Sequence, residues 1–423
     1  MSYRLIARRS AAVLLLGALG ACTSPTEGER AQPVITRLPR ALSGDEQVAA
    51  TATTAFGLAL FRQVNATTAR DSNLTLSPIS ASLALGMLLN GAEGETADQI
   101  RSTLGFGTRA TPAINEAYRT LVPLLTTVDP SVRMQFANAA WFDTGMSPSP
   151  TFTQALQATF GAQANVVPFS APSTVTTINS WVKTNTNGRI QTIVNRLEPE
   201  LVALLINATY FKGTWRAQFD RSATQSAPFF VTPSAPLNVP TMRTEAGLVR
   251  GGQLPDGTVV AELPYGGDAF VMDIVMPPAG RLESAIDSLT PTRWATLLRT
   301  LPDSAATTLV SLPKFRLELS RELKPALGVM GMPRAFGGSA QLAPMFAAPD
   351  GRLTVSSVLQ RVFVDVNEEG TEAAAVTAVS VGVTSVGPVG MIINRPFLFV
   401  IRERLSGAIL FVGKVIRPSA PPA

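Results

Sequence analysis

Residues 364–388 read VDVNEEGTEAAAVTAVSVGVTSVGP. From Thr371 to Ser385 almost every residue is small or β-branched, and Glu372 is the single charge. No proline occurs from Glu369 to Gly387, and one follows at Pro388. Every residue of that run keeps its N–H, so the stretch can enter the middle of a sheet. It has no large side chain with which to build a core. Alternation puts Thr371, Ala373, Ala375 and Thr377 on one face and Glu372, Ala374 and Val376 on the other. The first set can be buried while Glu372 stays in water. A small-residue edge strand or surface loop has the same composition. A calcium loop is a weaker match. Asp365, Asn367, Glu369 and Gly370 partly mimic its spacing, but Val376 stands where the twelfth-position Glu belongs.

The composition around this stretch narrows the function. The chain has 423 residues, 46% of them apolar and 15% charged, which is ample for a packed core and argues against disorder throughout. Aromatics are 7%, so the core is mostly aliphatic. There is no histidine, which excludes Ser-His and Cys-His nucleophiles and His-ligated metals. One cysteine, Cys22, excludes an internal disulfide and Cys-rich metal sites. The chain is therefore expected not to be an enzyme and to need no cofactor or metal. Net charge is +5, but Arg4, Arg8 and Arg9 fall in an N-terminal stretch without acids, and the remainder is close to neutral. No Lys/Arg run supports a nucleic-acid partner.

Those arginines precede the apolar run Ala11–Ala21, too short to span a bilayer and patterned like a secretory signal. The run ends Leu19-Gly20-Ala21-Cys22, which resembles a bacterial lipobox. The reading is a signal peptide over 1–21, then lipidation at Cys22. The product is exported and lipid-anchored to a bacterial membrane. Residues 22–44, rich in Pro, Thr, Ser and charge, read as a flexible tether.

Apolar spacing predicts helices over Asp45–Val64, from Ser77-Pro78 to Asn90, and over Glu93–Leu104, Pro112–Leu125, Phe152–Phe160 and Thr174–Thr184. The second of these is apolar on nearly all faces and is expected to be buried. Val132–Phe142 reads as a strand. From Leu201 the texture turns β-branched: Leu201–Phe211, Leu237–Met242, Thr258–Leu263, Phe270–Met276, Thr307–Leu319, Val358–Val366 and Met391–Ile401. Helices first and strands later, without βαβ alternation, indicate an α+β fold. A single domain over 45–418 and a short tail over 419–423 are expected.

The segment NEEGTEAAAVTA resembles the hinge of a serpin reactive-centre loop. The likeness runs over nearly all of residues 45–417. It takes in SPISASLALGMLLNGA (77–92), INSWVKTNTNGRI (178–190), NATYFKGTW (207–215), LPKF (312–315), NRPFLFVIR (394–402) and GAILFVGKVIRP (407–418). Six motifs in the family's order make it specific. It implies the serpin fold, with a large central mixed sheet, two further sheets, eight or nine helices and an exposed loop over about 368–390. It also implies suicide inhibition of a serine protease. The cut loop, still esterified to the protease, inserts into the main sheet as a new strand, the family being a standard instance of strand addition.

Carried over residue by residue, the hinge is Glu368, Glu369, Gly370, Thr371, Glu372, Ala373, Ala374 and Ala375. The reactive bond is Thr384-Ser385, give or take one residue. Its small flanks suit an elastase-like or subtilisin-like protease rather than one that wants Arg or Lys. Ser77, Ser80 and Asn207 match the family's shutter, with Gln360 where a histidine is common. Lys314 and Glu368, near Trp215, match a breach ion pair. Pro112–Leu125 carries only Arg119 as a base, so no glycosaminoglycan activation is expected. The Asn-X-Thr sequences at Asn65, Asn73 and Asn207 read as unmodified. The partner is the protease, the chain is expected to be a monomer, and the competing reading is a non-inhibitory serpin-fold binding lipoprotein.

Overall fold

Ser43 opens the first helix. Its hydroxyl accepts from the Glu46 amide while the Glu46 carboxylate accepts from the Ser43 amide, a complete capping box. The helix, α1, runs Gly44–Ala66, and Phe56, Leu60 and Val64 face inward as their spacing predicts. This is seen in a computed structural model that describes residues 33–198, 201–349, 353–371 and 390–419. Strand β1 (Leu74–Leu76) leads into α2 (Pro78–Asn90), which is buried on nearly every side. Then come α3 (Gly94–Thr103), α4 (Thr111–Thr127), α5 (Pro150–Phe160) and α6 (Pro172–Asn185). The short helices α7 (Leu282–Asp287), α8 (Pro291–Arg299) and α9 (Lys324–Val329) complete nine α-helices among the described residues.

The remaining strands are β2 (Val132–Asp143), β3 (Gln163–Val167), β4 (Ala203–Thr214), β5 (Gln225–Thr232), β6 (Ala235–Gln253), β7 (Val259–Tyr265), β8 (Phe270–Met276), β9 (Ala306–Pro313), β10 (Phe315–Glu322), β11 (Leu359–Asn367), β12 (Gly370–Thr371), β13 (Met391–Ile392), β14 (Phe397–Glu403) and β15 (Ile409–Val415). A six-stranded sheet has the order β10-β11-β12-β4-β2-β3. It is mixed, since β2 and β3 pair in parallel and the other ladders are antiparallel. The other nine strands form two sheets joined through the long β6. Its first part pairs with β5 and β9, and its last four residues, Arg250 to Gln253, pair with β7. The main core lies between the sheets and the helices. A second apolar cluster joins Ile178 and Val182 of α6 and the following Ile190 and Ile193 to Trp141, Leu204 and Phe363 of the six-stranded sheet.

The α+β reading and most of the expected elements hold. Two expected strands are each divided. Thr307–Leu319 splits at Lys314: its amide makes the last bond to β6, at the Pro240 carbonyl, and from Phe315 the chain pairs with β11, so β9 and β10 join different sheets. Met391–Ile401 splits ahead of Pro396, which has no N–H for a ladder. Strands β3 (QANVV) and β5 (QSAPFFVT) have no alternation of apolar and polar residue types to read, although β5 alternates in burial about the buried Phe229. Within the stretch read as a tether, Ile35, Leu38 and Leu42 pack against the main core, and the Ile35 amide donates to the Gly267 carbonyl at 2.7 Å. Ile35, Leu38 and Leu42 have helix-like spacing, but Pro39 breaks the run and no helix forms over 34–42, so the spacing did not announce the contact.

Candidate functional site

The site begins where β11 ends. After Asn367 the chain turns through Glu368 and Glu369 and comes back as β12, wedged between β11 and β4. Thr371 lies opposite Val366 on one side and Gly213 on the other, and Gly370 opposite Asn367 and Thr214. Strands β4 and β11 thus run parallel to each other, and in the strand order only β12 joins them among the described residues. The turn is held by Asn367, whose side-chain oxygen accepts from the Glu369 amide at 3.1 Å. Gly370 is demanded by the fit: a Cβ there would lie 1.9 Å from the Gly213 carbonyl oxygen.

Thr371 points inward and is 2% exposed. Its hydroxyl lies 2.6 Å from that of Tyr265. Burial pushes the Tyr265 phenol well above its ordinary pKa, so it stays protonated and available as a donor. The Tyr265 ring stacks on Trp215 at 4.4 Å. Trp215 in turn fastens the turn: its indole N–H donates to the Asn367 carbonyl at 2.9 Å and its amide to the Glu369 carbonyl at 2.8 Å.

Both turn carboxylates are buried and paired. Glu368 meets the Lys314 ammonium at 3.0 Å and accepts from the Thr224 hydroxyl at 2.8 Å. Burial alone would raise its pKa, but these two partners hold it below the usual carboxylate range. Glu369 pairs with Arg221, and its second oxygen has no hydrogen-bond partner.

Deeper beneath the sheet lie two polar groups. In one, the Ser80 hydroxyl donates to the Asn207 side-chain oxygen, which also accepts from Thr209 at 3.2 Å. The Asn207 amide donates to Asn138, its direct cross-strand neighbour, and Asn138 donates to the Phe160 carbonyl at 2.7 Å. In the other, Gln360 clasps the backbone of Ser77, accepting from its N–H at 3.0 Å and donating to its C=O at 2.8 Å. The Ser77 hydroxyl itself is buried without a partner and caps nothing. The structure thus brings Ser80 together with Asn207, and Ser77 with Gln360.

Sequence reasoning missed Asn138, Thr209, Tyr265, Arg221 and Thr224. An available signal was Asn138 itself, an amide inside the otherwise apolar run Phe136–Phe142 of β2. Glu372, Ala373, Ala374, Ala375, Thr384, Ser385 and Cys22 lie outside the described residues. Among the described residues no cluster of acids or Cys is suited to hold a metal, and no helix is long and apolar enough to cross a membrane.

The family pattern "Serpin (serine protease inhibitor)" matches residues 51–418. The chain belongs to the serpin family. Iripin-2 of Ixodes ricinus is 35% identical over 369 residues, covering 85% of this serpin and 91% of the relative. Among solved structures, mouse protein-Z dependent protease inhibitor aligns with a TM-score of 0.79 at 26% identity, covering 88% of this serpin and 98% of that chain. Human thyroxine-binding globulin, solved in complex with thyroxine, aligns with a TM-score of 0.81 at 26% identity, covering 89% of this serpin and 100% of that chain. Membership places this serpin among protease inhibitors rather than enzymes.

The same comparisons correct the reading of the N-terminus. Relatives of comparable similarity come from Ixodes ricinus, Gallus gallus, Homo sapiens and Triticum aestivum. They are eukaryotic serpins, and the assignment as a bacterial lipoprotein, with a membrane anchor on Cys22, is overturned. That assignment rested on four residues, Leu19 to Cys22. Small residues around one cysteine at the end of an apolar run are too short a pattern to outweigh family-wide likeness.

Proposed function

We propose that this serpin traps serine proteases as a suicide substrate, inserting its cleaved loop between β4 and β11. The observation that carries the reading is the two-residue strand β12. Gly370 and Thr371 already pair on both sides, in one register, at the mouth of a seam between two long strands. Continuing that register would bring 372 opposite Lys212 and Asp365. It would bring Ala373 opposite Phe211 and Val364, and Thr377 opposite Asn207 and Gln360. The inward positions 371, 373, 375 and 377 are Thr, Ala, Ala and Thr, which fit without opening the sheet widely. A strand from Thr371 to Val383 would span roughly 43 Å at ~3.3 Å per residue. A dozen new ladder bonds at roughly 0.5–1.5 kcal/mol each give on the order of 10 kcal/mol of driving force.

In this reading Glu368–Lys314 and Trp215 hold the loop's entry point, and the Ser80–Asn207 and Ser77–Gln360 pairs govern parting of the strands beneath it. Thr384-Ser385 is the scissile bond, and the small residues around it suit an elastase-like or subtilisin-like protease. The protein acts as a monomer, with residues 45–418 as its one inhibitory domain. Likeness to thyroxine-binding globulin supports a second reading, a serpin-fold carrier that does not trap. Thermal unfolding before and after loop cleavage separates the two. A large rise in melting temperature on cleavage supports insertion, and an unchanged one supports the carrier.

A further inference from the structure

We infer that residues 34–42 form a strap that slows entry of the loop into the sheet. The strap touches both sides of a boundary that insertion has to shear. At its start, the Ile35 amide donates to the Gly267 carbonyl at 2.7 Å, and the Ile35 carbonyl accepts from Arg404 at 3.2 Å. The Ile35 side chain fills the space over Gly267, where a Cβ would lie 2.6 Å from Ile35 Cδ1. At its other end, Arg40 makes a two-pronged pair with the buried Glu46 of α1 and reaches the Thr120 carbonyl of α4 at 3.5 Å. Between these ends the strap lies over a groove lined by Leu38, Val128 and Leu405.

The turn it grips is wired to the hinge. Gly266 and Gly267 directly follow Tyr265, the partner of Thr371. The Gly266 amide donates to the Thr214 carbonyl at the end of β4 (2.8 Å), and the Arg216 amide returns to the Pro264 carbonyl (2.9 Å). The Gly267 amide donates to Asp129, in the link from α4 to β2, at 2.8 Å. Admitting a strand between β4 and β11 requires them to part by about 4.8 Å. Strand β2 is paired to β4 along its length and moves with it. The turn at Gly267 is held by β7 and β8 in the other sheet, so this movement strains its bonds to Thr214 and Asp129 and shifts the end of α4 against Arg404. A strap bonded to both sides raises the barrier to that shift.

This inference rests on the loop-insertion reading. The test uses the full chain, uncleaved, held at a fixed temperature below melting. Conversion to a heat-resistant form is followed by native gel. Ile35→Asp removes the apolar plug. Gly267→Ala sets a Cβ 2.6 Å from Ile35 Cδ1 and 3.0 Å from Asp129 Oδ2 at an allowed backbone conformation, so it crowds the plug from the other side. Hydrogen exchange at the Ile35 amide reports release of the strap in each variant. The expected result is conversion about five-fold faster or more in both, a change of about 1 kcal/mol in the barrier. Equal rates in variants whose Ile35 amide has lost protection overturn the strap. Failure of the parent chain to become heat-resistant even after loop cleavage would instead overturn the insertion reading beneath it.

Discussion

The hydroxyls of Thr371 and Tyr265 face each other at 2.6 Å in a fully buried setting. The contact couples the first residues of the loop to the aromatic stack that closes the top of the six-stranded sheet. Replacing Thr371 by Val keeps the shape and orphans the phenol. The expected loss is about 1–3 kcal/mol of stability in the uncleaved chain, read by urea unfolding.

Alternation along the loop predicts which charges stop insertion. Ala373→Arg and Ala375→Arg would each bury a guanidinium on the inward face, and both are expected to turn the inhibitor into a substrate. Glu372→Gln, on the outward face, is expected to leave the division between trapped and cleaved product unchanged. Gel densitometry of the two products checks this.

The two serines at the start of α2 are expected to behave differently. Asn138→Ala strips the Asn207 amide and the Phe160 carbonyl of their partners. That change is expected to cost about 2–4 kcal/mol. Ser80→Ala removes a donor to Asn207 and is expected to cost about 1 kcal/mol. Ser77→Ala removes a hydroxyl that bonds to nothing, and is expected to fall within about 0.5 kcal/mol of the parent. Denaturant midpoints measured side by side decide the order.

Acid sensitivity is predicted at Glu46. The Arg40 guanidinium holds its carboxyl down at about 2, against burial, which pulls the other way. A depressed carboxylate contributes stability that is full above its unfolded value of about 4.5 and is lost as pH falls toward 2. Since Arg40 is half exposed, solvent screening leaves only part of that shift as stability. Arg40→Ala should lower stability at neutral pH and flatten its fall between pH 4.5 and 2. A pH series of melting curves tests this, with no histidine in the chain to blur it.

Much of this was legible in the chain because its signals are local. The α2 segment announces burial by being apolar all round. The pairing of Gly370 and Thr371 between two strands follows a turn whose onward sequence lacks both proline and bulk. The pairing of Ser77 with Gln360 was not legible in its actual form. The contact uses the backbone of Ser77, and no residue type marks a backbone partner. Asn138 was overlooked because an amide inside a strand counts as noise until register sets it against Asn207. Tyr265 is placed by a fold-back between β4 and the β7–β8 turn, a long-range contact that no window of sequence contains. The N-terminal error ran the other way, since a four-residue pattern was asked to fix both origin and anchoring.

The most direct test of the trap is a denaturing gel of the protein mixed with an elastase-like and a subtilisin-like protease. The account predicts a covalent band at the summed mass of serpin and protease, abolished by Thr371→Arg. Clean cleavage near Thr384 without such a band, across a panel of serine proteases, would contradict it.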